Sequence, residues 1–185
     1  MKTKDQLLLE QAYRKIYENE SLLIPRRSKE EREKNYKIAL NKKIQEYIKN
    51  GSKGDLDLAE TPITSLPEGL TVGGSLVLSD TPITSLPKGL KVGGDLDLSD
   101  TPITSLPEGL KVGGDLDLSY TPITSLPEGL KVGGYLDLSG TPITSLPEGL
   151  KVVGDLFLYG TPLAKQYTEE QIKQMCPGIR GGIYD

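Results

Sequence analysis

Two kinds of hydrophobic spacing divide the chain, and the change comes near residue 54. Before it, apolar residues recur at helical intervals. Leu8, Leu9, Ala12, Tyr13, Ile16 and Tyr17 fall three and four apart and line one face of a helix. Thr3-Lys4-Asp5-Gln6 opens that run with the reciprocal pattern of a capping box, and Pro25 ends it. Ser28-Lys29-Glu30-Glu31 repeats the capping pattern ahead of a second apolar face made by Tyr36, Ala39, Leu40, Ile44, Tyr47 and Ile48. Asn50-Gly51 is a suitable stop, because both residues tolerate the left-handed conformation that closes helices.

From Gly54 the period becomes 20 residues. The phrase is clean between Gly94 and Gly113, Gly-Asp-Leu-Asp-Leu-Ser-Asp-Thr-Pro-Ile-Thr-Ser-Leu-Pro-Glu-Gly-Leu-Lys-Val-Gly. Full copies begin at Gly54, Gly74, Gly94, Gly114 and Gly134, and a sixth is cut short after Leu163. A fixed period of this length predicts a solenoid, in which each coil buries its apolar side only against its neighbours. Within one coil, Leu96 and Leu98 flank Asp97, an alternation that predicts a short strand with leucine inward and aspartate outward. Pro102 and Pro107 bracket Ile103 and Leu106 and forbid a helix or a central strand there. That arc is extended or turn-like, and Gly113-Gly114 is expected to make the corner into the next strand.

The run Leu-x-Leu-x-x-Thr-x-Ile-x-x-Leu-Pro from Leu96 to Pro107 resembles the leucine-rich repeat, and most of all the short 20-residue bacterial and phage type. The resemblance covers residues 54–163 and implies an α/β solenoid: a right-handed coil with a concave parallel β-sheet. Where that family carries a ladder asparagine, this chain has Thr61, Thr81, Thr101, Thr121, Thr141 and Thr161. A threonine ladder between coils is therefore expected. An open stack exposes its last apolar layers, so both ends need covering. Residues 1–53 are read as a two-helix N-terminal cap, 54–163 as the repeat array and 164–185 as a C-terminal cap. In the last of these, Thr168-Glu169-Glu170-Gln171 is a third capping box that opens a short helix to about Met175. Pro177-Gly178 breaks the helix and Ile179–Tyr184 supplies a final strand.

Composition narrows the chemistry. The sequence has no His, one Cys and a net charge of −4. Without His there is no Ser-His-Asp or Cys-His catalytic group and no mixed Cys/His zinc site. One thiol makes no internal disulfide, so folding needs no oxidising compartment, and Cys176 is read as a buried structural thiol. Apolar runs are too short for a membrane span, and the expected location is the cytosol of a bacterium or infected host, with export as an effector compatible. Charge is divided unevenly. Residues 1–53 carry a net +6 and residues 54–185 a net −10.

The acidic half sets its carboxylates in two outward columns, Asp55, Asp95, Asp115 and Asp155 beside Asp57, Asp97, Asp117 and Asp137. Neighbouring strands lie about 4.8 Å apart, and aspartate so repeated is a poor choice for sheet stability alone. The columns are read either as a device for solubility or as an acidic strip for a basic partner. Gly113-Gly114-Asp115-Leu116-Asp117 superficially resembles a calcium β-roll turn, but it lacks the third glycine and the nine-residue period. No metal and no cofactor are expected. Near-identical carboxylates on an open sheet offer no distinct acid and base, so the protein is read as a non-enzyme. The outward columns vary where the inward ones do not: Tyr120 replaces Asp100, Tyr135 replaces Asp115, Phe157 replaces Asp137 and Tyr159 replaces Ser139. Aromatics beside an acidic strip have the make-up of a binding hot spot, although Phe157 and Tyr159 are read equally well as packing against the C-terminal cap. The candidate protein-binding residues are therefore Asp95, Asp97, Asp115, Asp117, Tyr120, Tyr135, Asp137, Phe157 and Tyr159. The leading expectation is recognition of a basic protein on the concave face. The alternatives are an acidic mimic of nucleic acid that inhibits a host defence enzyme, by analogy with phage proteins, and a structural scaffold. Nucleic acid itself is disfavoured as a partner, because Glu30, Glu31 and Glu33 interrupt the basic run from Arg26 to Lys37.

Overall fold

The computed structural model describes residues 28–185. The first expected helix, over residues 8–17, lies outside the described residues. The second is present as α1, Lys29–Lys49. Its capping box forms as the sequence predicts: Glu31 N–H donates to Ser28 Oγ at 3.1 Å, and Ser28 N–H donates to Glu31 Oε2 at 3.0 Å. The helix ends where Gly51 and Ser52 turn to positive φ, with Ser52 N–H reaching back to Tyr47 O. The described chain divides within α1, after Lys42, and residues 43–185 form one compact unit. Inside that unit the last turns of α1 meet the first coil. Ile44 is buried, Lys43 Nζ donates to Asp57 O and Tyr47 Oη to Gly54 O, both at 2.8 Å.

The repeats build a parallel β-solenoid of about five turns. Each turn contributes a two-residue strand at its Leu-Asp step: β1 Leu56–Asp57, β3 Leu76–Val77, β5 Leu96–Asp97, β7 Leu116–Asp117, β9 Leu136–Asp137 and β11 Leu156–Phe157. These pair in parallel with a 20-residue offset, leucine over leucine. A second parallel sheet, unforeseen from the sequence, forms at the Lys-Val step. Its strands are β2 Thr71–Val72, β4 Lys91–Val92, β6 Lys111–Val112, β8 Lys131–Val132 and β10 Lys151–Val152. The valines point in and the lysines out. Two adjacent residues are too few to show an alternation, which is why the pattern could not announce this sheet.

The six aliphatic positions of the third coil all reach the interior: Leu96, Leu98, Ile103, Leu106, Leu110 and Val112 are buried. In the coil that begins at Gly134, Leu146 is only half-buried, because the next turn has no leucine to lay over it. That turn instead forms two short helices, α2 Pro162–Gln166 and α3 Glu169–Met175. The capping box at the start of α3 is present, with Thr168 and Gln171 bonded in both directions. After α3 the chain rejoins both sheets. Ile179 bridges Val152, and β12, Ile183–Tyr184, pairs with β11. Cys176 is buried at the end of α3, and burial pushes its thiol up from the ordinary range.

One expectation is corrected. The threonines do not link coils. Each hydroxyl donates to the carbonyl three residues back in its own coil, as Thr101 Oγ1 does to Leu98 O at 2.6 Å, and so closes the turn that leaves the strand. The double glycines stand at the corner expected of them, between β6 and β7, but make it without positive φ. Gly113 and Gly114 are absent from the positive-φ set, whereas Gly109 has φ 74° at the other turn. At Gly113 an added Cβ would strike the carbonyl of Gly93 in the coil beneath. These glycines allow backbones to stack closely, and among the described residues only Gly54, in the first coil, has positive φ at this corner.

Candidate functional site

The direction of the backbone hydrogen bonds reverses at the double-glycine corner, and the first aspartate column follows from that. Before the corner, N–H groups donate to the preceding coil: Gly113 to Val92 O and Gly114 to Gly94 O. After it they donate to the following coil: Leu116 to Tyr135 O and Leu118 to Asp137 O. Asp115 stands at the reversal. Its N–H still faces the preceding coil, but the Asp95 carbonyl there is engaged by Leu76 N–H. The Asp95 side chain supplies the missing acceptor, Oδ1 at 2.9 Å. The same link joins Asp55 to Ser75 N–H at 2.8 Å, Asp115 to Tyr135 N–H at 2.8 Å and Asp155 to Gly182 N–H at 2.7 Å. Ser75 Oγ takes the role beneath Asp95 at 3.0 Å. The inter-coil ladder expected of threonine is thus made by this column.

The second column acts within its own coil. Asp57, Asp97, Asp117 and Asp137 each accept, at Oδ1, the N–H two residues on, an Asx turn that leads the chain out of the strand. These carboxylates are half-buried. Asp117 is held above the usual carboxylate range: burial is the main cause, the hydrogen bonds from Ser119 oppose it, and the charges of Asp137 and Asp97 add to it. A depression of about 230 Å³ on this face is lined by Asp95, Asp97, Asp115, Asp117, Ser75 and Tyr135, among others. The Tyr135 hydroxyl is pushed up first by desolvation and then by the carboxylates around it, Asp115 foremost.

Three of the four predicted aromatics come together. Tyr135 meets Phe157 edge-on with ring centres 5.7 Å apart, and Phe157 stacks with Tyr159 at 6.2 Å. Tyr184 completes the group, stacked on Phe157 at 5.2 Å through the pairing of β11 with β12. Sequence reasoning missed Tyr184 because α2 and α3 interrupt the 20-residue period before it. The usable signal was the Ile183-Tyr184 pair, which repeats the inward–outward order of Leu156-Phe157. Tyr120 stands apart, in the turn after β7, with φ 57° and its ring over Gly140. An added Cβ at Gly140 would lie 2.7 Å from Tyr120 Cδ1, so the large residue in one coil requires the small one in the next.

At one position the column gives up its acceptor. Tyr135 replaces an oxygen-bearing residue, and among the described residues the N–H of Asp155 above it finds no partner. Among the described residues, no group of three or more His, Cys, Asp or Glu is arranged to hold a metal ion, and no helix is long and apolar enough to cross a membrane. Compared with known proteins, the chain matches no family model and no curated protein.

Proposed function

We propose that this is a recognition protein of the leucine-rich-repeat type, a right-handed coil whose concave sheet binds a basic protein without catalysing a reaction. The last turns of α1, from Lys43 onward, cover one end of the stack in this reading, and α2, α3 and β12 cover the other. The observation that carries it is Tyr135. Every other described coil places an oxygen at that position and gains a link to the next coil; this coil forgoes the link and presents a ring, 37% exposed, beside Asp115 and Asp117. Such a loss within an otherwise uniform stack is a cost to folding, and an aromatic contact with a partner is the use that offsets it. The carboxylates add steering. Asp97, Asp115 and Asp117 commit Oδ1 to a backbone N–H and keep their negative charge on the sheet, where it can attract a cationic partner.

The test is capture of a partner from lysate followed by affinity measurement on the purified pair. Asp95, Asp97, Asp115 and Asp117 are changed together to Asn, which keeps an Oδ1 acceptor for each backbone N–H and removes only the charge. Binding should fall at least about tenfold in that variant and again at high salt, and Tyr135→Ala should weaken it further. A partner held equally well by all three proteins would refute the reading. A captured enzyme that handles nucleic acid, lost with the four carboxylates but indifferent to Tyr135→Ala, would transfer support to the acidic-mimic alternative.

A further inference from the structure

The outer face of the five-stranded sheet carries a charged row that the fold leaves unused. Lys91, Lys111, Lys131 and Lys151 occupy successive register positions in β4, β6, β8 and β10, and all are exposed. Among the described residues no hydrogen bond or ion pair holds any of these ammonium groups. Strands in a sheet are about 4.8 Å apart, so four like charges stand side by side, and the nearest glutamates in sequence, Glu108, Glu128 and Glu148, make no ion pair with them among the described residues. Such an arrangement is unfavourable until a partner supplies anions.

Carboxylates at the same repeat distance exist on this very chain. Asp97, Asp117 and Asp137 occupy three consecutive strands of the seven-stranded sheet, in register. Both rows take their spacing from the stacking of the same coils, so the pitch of one equals the pitch of the other. Lysine offers only donors, and each carboxylate retains a second oxygen after its Asx turn is made at Oδ1. We propose that the lysine row of one copy docks, coil against coil, on the aspartate row of a second copy.

The contact is heterologous. The pair keeps an unused aspartate row on one copy and an unused lysine row on the other, so growth continues beyond the dimer. A polyanion such as nucleic acid offers the lysine row no matching repeat and meets the net −10 of residues 54–185. The second copy brings both signs at one pitch. This inference stands apart from recognition of a foreign protein, since it requires the carboxylate row but no other molecule.

Sedimentation of the full chain across a concentration series at low and high salt tests it, and the unmodified protein alone is decisive. Average mass should rise with concentration at low salt and fall to that of the monomer at high salt. The apparent dissociation constant should shift at least about tenfold. A protein that is monomeric throughout overturns the proposal. Two variants test the pairing itself: one with the four lysines changed to Gln, the other with Asp97, Asp117 and Asp137 changed to Asn. Each alone should remain monomeric, and an equal mixture should form a dimer and stop there, since each brings only one working row. Association of either variant by itself, or no pairing in the mixture, overturns the assignment. So does lysine-dependent retention of DNA by a protein that stays monomeric.

Discussion

The two sheets share coils, spacing and register, yet treat their outward charges in opposite ways. In the seven-stranded sheet, carboxylates are drawn into the backbone: Asp95 bonds the coil above it and Asp97 closes its own turn. In the five-stranded sheet the lysines touch no polar partner among the described residues. The difference is chemical. A reversal of backbone direction leaves an N–H unpaired, and only a side chain with acceptor atoms can meet that need. An outward position on a strand is therefore not a free position, and an acidic row can be structural and exposed at once.

The largest effect should come from disturbing the spacing that both sheets share. Gly113→Ala places a methyl group against the Gly93 carbonyl and is expected to cost roughly 1–3 kcal/mol by overpacking. Gly109→Ala meets nothing within 4 Å but retains a positive φ, and should cost only about 1 kcal/mol. Chemical denaturation of the two variants compares them, and equal losses would refute close stacking as the reason for the double glycine.

A sharper contrast sets one residue of each sheet against the other within a single coil. Asp155→Ala removes the acceptor of Gly182 N–H, which lies next to β12, and should cost about 1–2 kcal/mol while amide exchange at Gly182 quickens. Asp155→Asn should restore most of that loss. Lys151→Ala should change stability by less than about 0.5 kcal/mol. If the lysine change proved the more damaging, the contrast between the sheets would fail.

The smallest effect concerns Asp117. Its folded-state pKa lies above the unfolded value, so the folded protein holds this proton more tightly. Through this group, stability is higher when pH is below the unfolded value and declines as pH rises through the folded one. Asp117→Asn, which keeps the Asx acceptor, should therefore raise the melting temperature slightly at neutral pH. The gain should vanish in acid, where Asp117 is already protonated. Melting curves for the two proteins across that range check the sign.

The amino-acid order by itself determined the repeat, the inward leucines, the capping boxes at Ser28 and Thr168 and the return of Ile183-Tyr184 as a strand. Each is either a local rule or a periodicity that one chain can display. Tertiary structure decided what the outward residues do. Threonine closing its own turn, aspartate bridging coils, glycine yielding to the backbone below and the joining of Tyr184 to Phe157 all depend on which atoms of one coil meet those of the next. A sequence records that the coils repeat every 20 residues. The direction in which each N–H points is settled only when the coils are stacked, and from that direction follows the partner that each side chain takes.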